Sequence, residues 1–160
     1  MKKPITLIIF LSLLAFISCE DMFVTPTAET IARMTFTAEQ TKVSTGDLIT
    51  TTVSLLSVNK GRDDELFALI FHASSDDNFI LTPVSAKILQ PVEEKKIELI
   101  GGTVVISAFS PGTFKVGDLL TVQWQALAVG NAILTPKATW NTGIPVAEFN
   151  LKVILIEVNK

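Results

Sequence analysis

Apolar and polar residues alternating with a period of two restrict this chain more than any other feature of its sequence. Met34, Phe36 and Ala38 alternate with Thr35 and Thr37, and Ile49, Thr51, Val53 and Leu55 share one side of "LITTTVSLLSV". Phe67, Leu69, Phe71 and Ala73 do the same in "LFALIFHA", as do Leu120, Val122, Trp124 and Ala126 in "LLTVQWQALA". A last run, "FNLKVILIEV", is rich in β-branched residues. Successive side chains of an extended backbone point to opposite faces, so each run reads as a half-buried strand. Between the runs stand turn signals such as "STGD", "NKGRDDE", "SSDDN", "IGGT", "SPGT" and "NTG", where Gly, Asp and Asn ease reversal of the chain. Many short strands with regular punctuation predict an all-β fold, an antiparallel β-sandwich of jelly-roll or immunoglobulin-like kind. The stretch "VEEKKIEL" reads equally as a short helix, a loop or the lead-in to a strand.

Ahead of these strands the chain opens with Lys2 and Lys3 and an apolar run from Ile5 to Ile17. A short basic region before an apolar core of that length has the form of a secretory signal peptide. It is shorter than the roughly 20 residues a permanent transmembrane helix needs. The run ends in Phe16-Ile17-Ser18-Cys19, and Cys19 is the only cysteine in the chain. This resembles the lipobox of bacterial lipoproteins, and the resemblance implies cleavage after Ser18 and diacylglyceryl transfer to the Cys19 thiol. It places the protein in the bacterial cell envelope, at the outer membrane, on either the periplasmic or the surface face. Two or three acyl chains hold a protein at a membrane stably where one holds it marginally. The implied organisation is a signal peptide over 1–18, the acylated cysteine and a tether over 19–32, and the sandwich over 33–160.

Charge narrows the partners. Of 13 Lys and Arg, Lys2 and Lys3 leave with the signal peptide, so 11 basic residues face 16 acidic ones, a net charge of about −5. An acidic chain with no basic stripe excludes nucleic acid as the expected partner, and leaves membrane attachment to the acyl chains.

Three segments in order resemble the cohesin family, the sandwich domains that receive dockerins. They are "VSTGDLITTTVSL" at 43–55, "LFALIFHASSDDNFIL" at 66–81 and "GTVVISAFSPGTFKVGDLLTVQWQALAVGNAILTP" at 102–136. In the second, Asp76 matches the Asp of the family's Tyr-Asp-Pro turn, while Ser75 and Asp77 depart from it. The resemblance implies a cohesin-like sandwich and a protein partner of dockerin type, a helix pair that itself binds calcium.

Chemistry-bearing residues are sparse. His72 is the only histidine; it alternates with the core-facing residues of its strand and reads as a sheet-surface side chain. No second histidine exists to complete a zinc site, and no nucleophile motif or phosphate-cradling loop is present. Asp63, Asp64 and Glu65, with Asp76 and Asp77, read as solvated turn acids, since neither group has the alternating spacing of a calcium loop. The chain is therefore expected to be no enzyme and to need no cofactor or metal. A binding face is expected instead. Leu66, Ala68, Ile70 and His72 form the outer set of a strand that is apolar on both sides, and sheet-face residues near the equivalent cohesin strand take part in dockerin recognition. The alternative is a carbohydrate-binding module supporting polysaccharide breakdown, with Trp140 as the stacking ring. Trp124, in phase with Leu120 and Val122, belongs to the core.

Overall fold

The computed structural model describes residues 32–59, 68–110, 112–139, 147–149 and 153–160. Among them are eleven strands and no helix: β1 (Ala32–Ala38), β2 (Lys42–Ser44), β3 (Leu48–Val58), β4 (Ala68–Ser75), β5 (Leu81–Ile88), β6 (Glu94–Ile100), β7 (Thr103–Phe109), β8 (Gly117–Ala126), β9 (Gly130–Thr139), β10 (Ala147–Phe149) and β11 (Ile154–Asn159). They build a five-stranded sheet, ordered β10-β1-β3-β8-β5, packed on a six-stranded sheet, ordered β2-β11-β9-β4-β7-β6. All pairings are antiparallel except β1 with β10 and β2 with β11. The sheets are thus mixed, which alternation within single strands does not reveal. Both parallel partners lie far apart in the chain, as a parallel pair requires.

The apolar phase of each alternating run that the structure describes faces inward. Met34, Phe36, Ile49, Val53, Val122 and Trp124 line one sheet's inner face; Leu69, Phe71, Val104, Ile106, Leu134 and Ile156 line the other, and all are buried. The rings of Phe36 and Phe71 meet across the two sheets at 6.2 Å between centroids and a 53° tilt, a favoured aromatic arrangement. Thr51 holds an apolar-phase position although it is polar. Its Oγ1 accepts the Trp124 Nε1–H at 2.9 Å and donates to the Val122 carbonyl at 3.3 Å, so neither buried polar group lacks a partner.

The turns follow from their residues. In "STGD", Gly46 adopts a φ of 97°, and the Asp47 Oδ2 accepts the Ser44 N–H at 2.8 Å. In "VGD" the aspartate acts differently: Asp118 Oδ1 accepts the Ser54 hydroxyl at 2.6 Å, tying β8 to β3. The stretch "VEEKKIEL" resolves as β6, because pairing along β7 and packing of Ile97 against the core outweigh the helix propensity of its Glu and Lys residues. Ala32, at the end of the expected tether, already belongs to β1 and is fully buried. Its partner in β3 is Val58, while Ala38 pairs with Thr51. The chain therefore enters the sandwich at the end opposite the turn at 44–47.

Candidate binding face

On the outer side of the six-stranded sheet, β4 runs between β9 and β7 and presents Ala68, Ile70, His72 and Ser74. Across the strands the register forms three rows: Thr139–Ile70–Ser107–Lys96, Lys137–His72–Val105–Glu98, and Ala68–Phe109–Glu94. Ile70, Val105 and Phe109 make a half-buried apolar centre, and Glu94, Lys96, Glu98 and Lys137 make a charged rim. Lys96 Nζ and Glu98 Oε1 lie 2.9 Å apart on that rim. A depression of about 130 Å³ opens among Glu94, Lys95, Lys96, Ser107 and Phe109. An apolar centre within a polar rim is the usual anatomy of a protein-binding patch.

The site residues expected from the sequence are distributed unevenly over this face. Ile70 and His72 are half-buried and face outward. Ala68 is buried, with 9% of its surface accessible, so the exposed apolar set predicted around it is smaller than the alternation suggests. Its single methyl sits on an interior strand, beside the larger Phe109 that pairs with it on β7. Leu66, Trp140 and Cys19 lie outside the described residues, as do Asp63, Asp64 and Glu65. Trp124 is fully buried in the core, as its phase predicts. Val105, Ser107 and Phe109 are the residues that reasoning from β4 alone passed over. Their signal was present in "TVVISAF", where they form the second phase beside Val104, Ile106 and Ala108.

Burial, and then the charge of Lys137 on the adjacent strand, hold the His72 imidazole below its ordinary range. Its neighbour in the other direction is Val105, so no carboxylate stands beside it in its row to form an acid–base pair. Among the described residues, no three His, Cys, Asp or Glu side chains come together as a metal-binding group. Asp76 is exposed yet structurally engaged: its Oδ1 accepts the Ile133 N–H at 2.6 Å, and its own N–H donates to the Ile133 carbonyl at 3.0 Å. The Asp of the cohesin-like turn thus pins the corner after β4 to β9. Asp77 Oδ1 accepts the Phe79 N–H at 2.9 Å within the same corner.

The outer side of the five-stranded sheet differs in character. Thr50, Ser85, Lys87, Thr121 and Gln123 surround a depression of about 220 Å³ there, with Ala86 as its one apolar lining residue. Hydroxyl and amide groups without a large apolar anchor make a weaker candidate for a protein partner.

No protein-family model matches the chain, and no curated protein matches it in sequence. Solved structures do share its fold. A cohesin module from a family 33 glycoside hydrolase of Clostridium perfringens matches with a TM-score of 0.63 and 14% identity, over 81% of this chain and 98% of that one. A non-cellulosomal cohesin from Archaeoglobus fulgidus gives 0.55 and 12%, over 81% and 93%. A type I cohesin–dockerin complex from Clostridium thermocellum gives 0.58 and 11%, over 82% and 99%. The fold is a cohesin-like β-sandwich.

Proposed function

We propose that this protein is a non-catalytic, lipid-anchored component of the bacterial cell envelope, and that its cohesin-like sandwich holds a protein partner on the outer face of the six-stranded sheet. A dockerin-type helix pair is the partner class that fits. The observation carrying this reading is the face itself: Ile70, Val105 and Phe109 inside a rim of Glu94, Lys96, Glu98 and Lys137, on a fold shared with a cohesin solved in complex with a dockerin. The lipobox-like ending at Cys19 supports attachment to the outer membrane through acyl chains. Fold alone does not confer a partner, so the face must be tested directly.

The test is calorimetric titration of the full chain with calcium-loaded dockerin modules of both principal types, repeated with chelator, and repeated with Val105→Lys and Ile70→Glu. Binding that needs calcium and weakens about tenfold or more in either variant supports the reading, since a charge placed in an apolar interface centre is costly. Heat on titration with soluble glycans, lost in Trp140→Ala and unaffected by Val105→Lys, would move the assignment to carbohydrate recognition.

A further inference from the structure

Among the described residues, edge strands β2 and β10 are three residues long, and a third edge, β5, carries Pro83 and a register break between Pro83 and Ser85. Short length, proline and bulges are devices that block strand addition at an edge. Edge strand β6 is different. It has seven regular residues, "EKKIELI", pairs along its whole length with β7, and has no strand on its other side among the described residues.

Hairpin geometry decides which backbone groups that edge offers. β6 and β7 are joined by Gly101 and Gly102 alone, with Ile100 paired to Thr103 and Gly101 at a φ of 56°. Gly102 does not share that positive φ, and a two-residue turn with positive φ at its first position alone is type II′, closed by a hydrogen-bonded pair. Ile100, Glu98, Lys96 and Glu94 therefore bond toward β7, because antiparallel partners alternate. Lys95, Ile97 and Leu99 turn their N–H and C=O groups outward.

We propose that a second copy of this chain pairs antiparallel along β6, about a two-fold axis at Ile97. An antiparallel self-pair must set outward-facing residues against outward-facing residues, which leaves few registers. Centring on Lys96 opposes Lys96 to its own copy, and centring on Glu98 opposes Glu98 to its own copy. Centring on Ile97 instead opposes each Lys96 to the other copy's Glu98, twice. Like charges directly opposite are destabilising and unlike charges favourable, so charge selects the Ile97 register among these three, the Lys96–Glu98 pair that each chain already makes at 2.9 Å being extended across the axis to the other copy. Lys96 and Glu98 also fall at a non-hydrogen-bonded pair there, where cross-strand side chains approach most closely. The same register sets Lys95 against Leu99, a residue that is 41% exposed, so the lysine stem covers it. About six main-chain hydrogen bonds form, two at each outward residue pair. Of the two lysines that guard this edge against unrelated strands, Lys96 thus meets a carboxylate of the copy and Lys95 lies along its Leu99. The resulting two-fold contact is isologous and closes on itself. It joins the two six-stranded sheets edge to edge, leaves the apolar centre at Ile70, Val105 and Phe109 uncovered and engages only the Lys96 and Glu98 side of the rim, so it goes beyond the proposed partner-binding role and does not depend on it.

The experiment is light scattering of the full chain in non-ionic detergent over a concentration series up to about a millimolar, the range in which weak contacts are seen. Wild type should show reversible dimerisation. Lys96→Glu and Glu98→Lys should each raise the dissociation constant by about tenfold or more, and the double swap should restore it to within about threefold, as expected for a directly coupled pair. Leu99→Pro, which removes one outward N–H, should be monomeric with an unchanged melting temperature. Amide exchange supplies a second readout: Ile97 and Leu99 should gain protection as concentration rises, whereas Lys96 and Glu98 stay protected throughout. A single monomeric species at every concentration overturns the proposal. So does a dimer indifferent to both charge reversals.

Discussion

Thr51 shows how one hydroxyl can be both a departure from an apolar pattern and a requirement of it. It sits in the buried phase of β3, yet it takes the Trp124 indole N–H and gives its own proton to Val122. Thr51→Val keeps the shape and removes the acceptor, leaving an indole N–H buried without a partner. A stability loss of about 1–2 kcal/mol follows, the usual cost of such an orphan after the gain from the added methyl. Urea titration followed by Trp fluorescence measures it, and an unchanged midpoint would show that this bond contributes nothing net. His72 makes a prediction of opposite origin. Burial and the neighbouring Lys137 disfavour its protonated form in the folded state. The unfolded chain therefore binds the proton more readily between the lowered value and the ordinary one near 6.5. The contribution of His72 to stability is present above the ordinary value near 6.5 and is lost as the pH falls below it toward the lowered one. His72→Gln should flatten that slope. A slope unchanged by the substitution would assign it to other groups.

At the scale of elements, the corner after β4 and the strand β6 are instructive. The acids of the corner read as solvated, and Asp76 is indeed exposed, but it bonds the backbone of Ile133 in both directions. Ser75 N–H adds a bond to the Gly102 carbonyl, and Leu127 N–H one to the Ile80 carbonyl, so three turns are laced together at this end. Asp76→Ala should cost about 1–2 kcal/mol, as for loss of a charge-assisted bond, and should raise the exchange rate of the Ile133 amide specifically. A uniform rise across β9 would argue instead for general loosening. β6 shows why its type was not legible. "EKKIELI" has helix-forming residues and only one clear inward residue, Ile97, and its strand conformation comes from β7 rather than from itself. The β7 face was legible, since both phases of "TVVISAF" are visible. Only adjacency to β4 shows that its second phase belongs to the same patch as Ile70.

For the whole molecule, β1 begins at Ala32, at the end of the sandwich opposite the turn at 44–47. The expected lipidation is tested outside the sandwich altogether. In a bacterial host with lipoprotein processing, intact-mass measurement of wild type should find a chain beginning at an acylated Cys19, and Cys19→Ala should retain residues 1–18 uncleaved. Cleavage elsewhere in both proteins would mark an ordinary secretory signal and remove the anchor. Much of this protein was determined by the sequence alone: the all-β class, the inward phase of β1, β3, β4 and β8, the burial of Trp124 and the cohesin-like order of segments. Period-two alternation is a local property, and each strand carries it independently. Only the tertiary structure decided the mixed pairing of the sheets, the burial of Ala68, the strand conformation of β6 and the row that joins Ile70, Val105 and Phe109 into one face. These depend on which strands become neighbours, and neighbours separated by tens of residues are chosen by the packing of the two sheets, not by any one strand.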